Sequence, residues 1–442
     1  MPEVETWLIV SHAFNMDGRA ASQVITDKIP HLIARGITPI VISAMTGKRD
    51  DVVEHHRLLP VSPAGLRFDL RHLVRQHVTG KTAYKLLSGL VSIPLLPFYM
   101  VERLVLPLEP QWSWFVPAYV KGARLIRKRG CKVIYSTGGA ASAHLAAYLL
   151  ARRFALPWVA EIHDPMVSRD SDGTRMRHRF AAWLERKICE RADVAIWFVE
   201  TAMERAVQRN PVLGSRGKVL SPGADRPNFG KIGYARGPHL AIGHFGMLAP
   251  TRNLDVFLQA LGEVLRRRPE LADVIRVELY GGGVDALSAK AIAALPSPDI
   301  VRSFGRLERD PDTGDSGRDR VLKRMQTVDA LLLLHGTDAQ CEEYIPSKLY
   351  EYLWAERPII GLTWQNPHLD RILRENGHWT VPANDVHAIT TVLEQLIARW
   401  QADDLKDSGM LSPFTVGAAV DQILRWVDEA RCPARTRKEA RR

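Results

Sequence analysis

Glu343 and Glu351 stand eight positions apart around Tyr344-Ile345-Pro346-Ser347-Lys348-Leu349-Tyr350. Pro346 suits the first position of a helix, where its missing N–H costs nothing. The amides of Ser347, Lys348 and Leu349 are then expected to lack carbonyl partners within the helix. Free donors and the positive end of the helix dipole attract an anion. Lys348 fits that picture, because a cation in the first turn needs an anion beside it. The chemistry read here is a phosphate at the helix end with hydroxyl-rich groups near two carboxylates, as in a nucleotide sugar. A surface helix with solvated Glu and Lys is the plain alternative.

Other residues fall where a strand gives way to a helix. Glu161-Ile-His163-Asp164-Pro165 follows a strand-like run, and ligands of open α/β sheets bind at that edge. His163 can hydrogen-bond a sugar hydroxyl or move a proton; capping the strand end is its structural alternative. Phe245-Gly246 ends another run, and Arg252 follows before a helix with Leu254, Phe257, Leu258, Leu261 and Leu265 on one face. An arginine there can clamp phosphate through two N–H groups. Asp17-Gly18-Arg19, Ser136 to Ser142, Tyr280 to Gly283 and Ser303 to Leu307 are further glycine or small-residue turns, each weak alone.

These residues need two sheets to hold them. Strands are expected at Trp7–Val10, Ile37–Ser43, Lys132–Ser136, Trp158–Ile162, Val194–Val199 and Lys218–Leu220, with helices between. Ser221 to His239 breaks the alternation with clustered Gly and Pro. A second series follows at Ala241–Phe245, Ile275–Tyr280, Ile300–Phe304, Ala330–His335, Ile359–Thr363 and Thr380–Pro382. Repeated β-α-β units imply parallel sheets covered on both faces. The chain therefore reads as α/β, two doubly wound domains: 1–225, a linker 226–239, and 240–411, with a helix at 412–430. Arg309 to Arg320 reads as an exposed polar loop, and 431–442 as a basic disordered tail.

At 442 residues the chain exceeds one ordinary core. Its net charge of +11 allows nucleic acid, an acidic substrate or an anionic membrane as partner. Basic residues are dispersed and no nucleic-acid module is recognised, so nucleic acid is set aside. Cys131, Cys189, Cys341 and Cys432 lack C-x-x-C spacing, which argues against a disulfide framework or zinc site. The amino terminus does not read as a signal peptide, and a cytoplasmic setting is expected. Leu86 to Val101 is apolar but interrupted by Pro94 and Pro97. With Arg67, Arg71, Arg75, Lys81 and Lys85 before it and Trp112 and Trp114 after it, it has the mixture of an interfacial segment. Two helices packed on the sheet are the alternative.

These motifs resemble the retaining glycosyltransferases of the GT-B fold, family four, over nearly the whole chain. Glu343 and Glu351 match that family's E-x7-E signature, followed by Arg357-Pro358-Ile359. Ala155 to Pro165 is similar to its strand before the cleft, and Ser221-Pro-Gly-Ala-Asp225 to the turn closing its first domain. The resemblance implies two Rossmann-like domains facing a central cleft, the first for acceptor and the second for a nucleotide-diphospho-sugar. It implies that Glu343 meets the donor sugar, Glu351 the ribose hydroxyls, and His163 the transferred sugar. Arg252 takes the place of a phosphate-binding Lys, and Gly18 that of the loop facing the pyrophosphate. Gly305, Arg306 and Leu307 fall where backbone meets the base. No metal or other cofactor is expected. The acceptor implied is a glycan or lipid-linked glycan of cell-surface polysaccharide synthesis, with the chain peripheral at the inner membrane face. Met247 departs from the family's usual Arg, and Tyr344-Ile345-Pro346 from its usual glycine-rich run. An epimerase or hydrolase on the same fold, or a silent scaffold, are the rival readings.

Overall fold

The computed structural model describes residues 5–16, 19–78, 80–167, 173–405 and 412–431. It divides into two compact units, Met1–Pro222 with Val416–Arg442, and Gly223–Thr415.

In the first unit the strands are β1 (Glu5–Val10), β2 (Ile37–Ala44), β3 (Glu54–Leu58), β4 (Val133–Gly138), β5 (Trp158–Ile162), β6 (Val194–Trp197) and β7 (Gly217–Val219). They pair in parallel in the order β3-β2-β1-β4-β5-β6-β7. The helices are α1 (Ala20–Ala34), α2 (Pro63–His77), α3 (Lys81–Ser92), α4 (Leu96–Val105), α5 (Phe115–Arg129), α6 (Ala141–Phe154), α7 (Met176–Arg191) and α8 (Glu200–Arg209). Six of these strands lie where the alternating runs placed them. The addition is β3, Glu-His-His-Arg-Leu, a polar edge strand that is only half buried and so carries little apolar pattern.

The second unit pairs β8 (Leu240–Gly246), β9 (Ile275–Gly281), β10 (Val301–Gly305), β11 (Ala330–Leu334), β12 (Ile359–Thr363) and β13 (Trp379–Pro382) in the order β10-β9-β8-β11-β12-β13, again parallel. Its helices are α9 (Asp255–Arg267), α10 (Ala286–Ala293), α11 (Gly317–Thr327), α12 (Lys348–Trp354), α13 (Pro367–Glu375) and α14 (Val386–Gln401). The run Ala330-Leu-Leu-Leu-Leu334 shows why such a strand is continuously apolar. Leu332 and Leu334 pack with Phe257, Leu261 and Leu393 on one face, while Leu331 and Leu333 pack with Met325, Leu353 and Leu373 on the other.

The final helix α15 (Val416–Arg431) rejoins the first unit, burying Val420, Ile423 and Val427 with Ile25, Ile29 and Leu32 of α1. Arg35 and Asp421 tie the two helices, with Nε–Oδ1 at 2.5 Å. One local expectation is corrected. The polar stretch Arg309 to Arg320 is not all loop, because Ser316 and Asp319 form a capping box that starts α11 at Gly317. The segment 226–239 holds no regular element; within it Tyr234 lies under the Arg357 guanidinium at 3.4 Å and Lys231 pairs with Glu356 at 2.6 Å. Residues 432–442, read as a tail, lie outside the described residues.

Candidate functional site

Both sheets reverse their strand order once, between β1 and β4 and between β8 and β11. Loops leaving the carboxyl ends at such a point diverge and leave a crevice.

In the first unit the loop after β4 is buttressed from below. Trp158 Nε1 donates to Ser136 Oγ at 2.8 Å, Ser136 meets His144 Nδ1 at 2.9 Å, and His144 Nε2 meets the Gly138 carbonyl at 3.1 Å. Burial lowers the His144 pKa to about 4, so the ring stays neutral and donates from Nε2. Gly138 takes φ +113°, a conformation open to glycine, and a Cβ on Gly139 would lie 3.3 Å from Asp164 Oδ2. The turns after β4 and β5 therefore touch.

Beside them lies a buried charged cluster. Glu161 and His163 are two residues apart, hence on the same side of the chain leaving β5. His163 Nε2 is 3.0 Å from Glu161 Oε1 and 2.9 Å from Thr137 Oγ1, and its ring stacks on Phe198 at 4.8 Å. Thr137 gives its one proton to Glu161 Oε1 at 2.7 Å, so it accepts from His163. The other oxygen, Oε2, accepts from Tyr135 at 2.6 Å and pairs with Lys28 Nζ of α1. Burial alone would raise the Glu161 pKa; Lys28 and His163 outweigh it and hold the carboxyl well below the usual range. Sequence reasoning singled out His163 and not the groups that support it. Signals existed: Lys28 interrupts the apolar face formed by Ile25, Ile29 and Leu32, and Glu161 sits in an otherwise apolar strand. Gly18, read as facing a pyrophosphate, lies outside the described residues.

In the second unit two loops close on each other at the switch point. Thr337 N donates to Thr251 O at 3.1 Å, and a Cβ on Gly336 (φ +112°) would meet that same oxygen at 3.0 Å. This fixes the Arg252 turn, after β8, against the loop after β11. Arg252 is half-buried, its Nε donating to the Met247 carbonyl at 3.2 Å. Two buried histidines stand near it. His335 Nδ1 accepts from Trp364 N at 3.2 Å, so Nε2 carries the proton that reaches Tyr344 O at 3.0 Å. His244 Nδ1 reaches the Leu332 carbonyl at 3.0 Å, which makes Nε2 its lone-pair nitrogen. That atom is buried and has no hydrogen-bond partner among the described residues. It faces Gly246, where a Cβ would come within 3.3 Å of it. Burial, with a smaller push from Arg252, lowers both imidazoles to about 4. His244 and His335 were not singled out as site residues in the sequence; a polar residue inside or just past a buried strand was their only signal.

Glu343 closes the short turn Ala339–Glu343 after β11 and is buried. Asn366 Nδ2 holds that turn through the carbonyls of Cys341 and Tyr344, both at 2.9 Å. The helix beyond it departs from expectation. It starts at Lys348 rather than Pro346, and the Leu349 amide is taken by the Pro346 carbonyl at 2.9 Å. Ser347 is its cap residue, in helical conformation. Lys348 already has an anion, for its Nζ is 2.6 Å from Glu351 Oε2, and Arg318 lies 3.4 Å from Oε1. Spacing three along a helix makes that pair, which outcompetes a distant ligand when none is bound. Gly246 sits at the end of β8 with Gly281 (φ +133°) pressed on its carbonyl. Gly305 (φ +63°) ends β10 beside exposed Arg306, next to a stack of Phe245, Tyr280 and Phe304 rings at 4.8 and 4.9 Å. A cavity of about 430 Å³ in this unit lies elsewhere, by Ala241 and Arg276 at the amino ends of β8 and β9. No cluster of three or more His, Cys, Asp or Glu able to hold a metal occurs among the described residues.

Residues 59–223 match the Glycosyl transferase 4-like domain family. No curated protein sequence matches the chain. Solved structures share its fold end to end. Anabaena HepE in complex with UDP-glucose has a TM-score of 0.57 at 12% identity, covering 96% of this chain and 99% of that one. Sucrose-phosphate synthase from Thermosynechococcus elongatus gives 0.61 at 12%, covering 97% and 100%. The lipopolysaccharide outer core galactosyltransferase WaaB in its apo form gives 0.56 at 10%, covering 96% and 99%. Two parallel α/β Rossmann-like units with these neighbours are a GT-B fold, and residues 59–223 are similar to the glycosyl transferase 4-like domain.

Proposed function

We propose that the chain is a retaining glycosyltransferase that moves a sugar from a nucleotide-diphospho-sugar to a glycan or lipid-linked acceptor. The observation that carries the reading is the set at the second switch point: a half-buried Arg252 beside two buried, neutral histidines, one with an open lone pair. A cation with neutral neighbours favours a diphosphate, and neutral imidazoles can orient hydroxyls without competing for charge. HepE with UDP-glucose and the WaaB galactosyltransferase, although distant in sequence, support a sugar nucleotide as the donor class.

In this reading Arg252 stabilises charge growing on the leaving diphosphate. Lys348 joins it by exchanging Glu351 for phosphate, a small cost for a pair in which the lysine is 32% exposed. Glu351 then turns to ribose hydroxyls and Glu343 to the donor sugar, with Gly246, Gly305 and Arg306 beside the nucleotide. His163, oriented by Glu161, binds a hydroxyl of the reacting sugars. The reading takes attack on the leaving-group face, with a donor phosphate oxygen taking the acceptor proton, which gives retention. No metal is invoked.

The test is a thermal-shift panel of UDP-, GDP-, ADP- and TDP-sugars with wild type and Arg252→Ala, since a ligand of the folded state raises Tm by mass action. One nucleotide class should stabilise wild type and leave the variant unmoved. A folded wild type indifferent to all four sinks the donor assignment. Proton NMR of the product's anomeric centre then decides retention, and free sugar formed without acceptor identifies a hydrolase instead.

A further inference from the structure

Helix α3 carries its amphipathic pattern the wrong way round for a soluble unit. Tyr84, Ser88 and Ser92, at i, i+4 and i+8, form one face, with both serines buried. Leu86, Leu90 and Ile93 are 70%, 68% and 66% exposed. Burial of apolar surface is what normally docks a helix, so here water receives the leucines and the protein receives the serines. Helix α4 has no buried residue, and Phe98, Met100, Val101, Leu104 and Val105 all stand exposed. Large apolar side chains exposed together on two successive helices mark a binding face.

The helices are bent by 68° at their junction. Among the described residues no single helix is long and apolar enough to cross a membrane. Twelve residues of α3 make about 18 Å against a hydrocarbon core of about 30 Å. Such a pair can lie in an interface with its apolar side down.

Charge identifies the interface. A cavity of about 420 Å³ is walled by α2, α3 and α4. Arg67, Arg71 and Arg75 line it from α2 at successive i+4 positions, and no acidic residue does. Tyr99 of α4 and Tyr84 of α3 hold two of them by cation–π contact, Arg67 at 4.8 Å and Arg75 at 5.2 Å. The Arg67 Nε is buried without a hydrogen-bond partner among the described residues. His72 adds no charge of opposite sign; its Nδ1 faces the Phe68 carbonyl and its Nε2 meets Arg19 at 2.8 Å. The one carboxylate in 81–105, Glu102, turns inward to Ala64 N at 2.7 Å and Trp112 Nε1 at 2.6 Å. Arg71, Arg75, Lys85 and Arg103 remain exposed around the apolar face. A second copy would bring like charges together, whereas an anionic lipid surface neutralises them.

We propose that the α3–α4 face docks into the interfacial layer of an anionic membrane, with a lipid-borne phosphate seated in the arginine cavity. The docking stands independently of glycosyl transfer. It is tested by flotation of the full chain with phosphatidylcholine vesicles and with vesicles that also contain phosphatidylglycerol. Wild type should float with the anionic vesicles. Leu86→Glu/Leu90→Glu/Leu104→Glu, at exposed positions, should weaken that by at least about tenfold. Arg71→Ala/Arg75→Ala keeps the Arg67–Tyr99 contact and should lose about thirtyfold on anionic vesicles, at about fivefold per cation, with little change on neutral ones. Circular dichroism confirms that each variant is folded. Three results overturn the proposal: a folded wild type that floats with neither vesicle; a wild-type dimer by light scattering that the glutamates split while vesicles are ignored; or an Arg71- and Arg75-dependent rise in Tm with inorganic phosphate alone, without vesicle binding.

Discussion

At the end of β5, His163 rests on a carboxylate whose charge is matched by Lys28, whereas at the end of β8 His244 rests on a backbone carbonyl and turns an open nitrogen toward Gly246. The first arrangement is electrically closed. Glu161, Lys28, Tyr135 and Thr137 satisfy one another out of water, and a network in that condition holds a ring in place. The second is electrically open, with neutral imidazoles and a half-buried arginine whose Nε donates to a carbonyl. A closed cluster fixes the geometry of its ring, whereas an open one keeps polar atoms unengaged. Under the proposed function the first would hold His163 for a sugar hydroxyl and the second would receive the diphosphate.

Breaking the closed cluster should have the largest effect. Lys28→Met strands Glu161 without its ammonium, and an uncompensated buried charge costs about 3–5 kcal/mol. Urea unfolding should show that loss, and adding Glu161→Gln should return part of it. A loss under about 1 kcal/mol would mean that the cluster is not closed.

The open site should contribute to acid sensitivity. His244 titrates near 4 when folded and near 6.5 when unfolded, so between those values the unfolded chain binds the extra proton. Its contribution is complete above pH 6.5 and lost as pH falls through 4, about 3 kcal/mol in all. His244→Gln should flatten the fall of unfolding free energy across that window, and an unchanged slope would remove His244 from the account.

Arg252→Ala should sharpen the contrast from the ligand side. Losing charge-assisted hydrogen bonds to a diphosphate costs about 1.5–3 kcal/mol, on the order of 10- to 100-fold in Kd by calorimetry, at unchanged Tm without ligand. The smallest effect belongs to Lys348→Ala. Its pair with Glu351 is partly exposed, so stability should move by less than about 1 kcal/mol, and a larger drop would make the pair structural.

Much of the fold was legible in the chain because parallel strands buried on both faces are uniform apolar runs, as at Ala330 to Leu334, with turn residues between them. The edge strand β3 escaped that logic because one side of it needs no apolar cover. His163 and Arg252 were legible because each follows a strand end. Their partners were not: Lys28 lies 133 positions before Glu161, and His244 lies 88 before the carbonyl that it binds.

The sequence alone determined the two alternating series, the Glu343–Glu351 spacing, the basic charge and the apolar stretch around Leu86. Tertiary structure decided which of these charges were already spent. Lys348 is engaged by its own helix neighbour, the Leu349 amide by the Pro346 carbonyl, and Glu102 by an inward turn, while His244 is left open and the leucines of α3 face outward. Spacing along a chain fixes which groups share a face. Whether a partner reaches them first depends on contacts between distant segments, and only folding sets those.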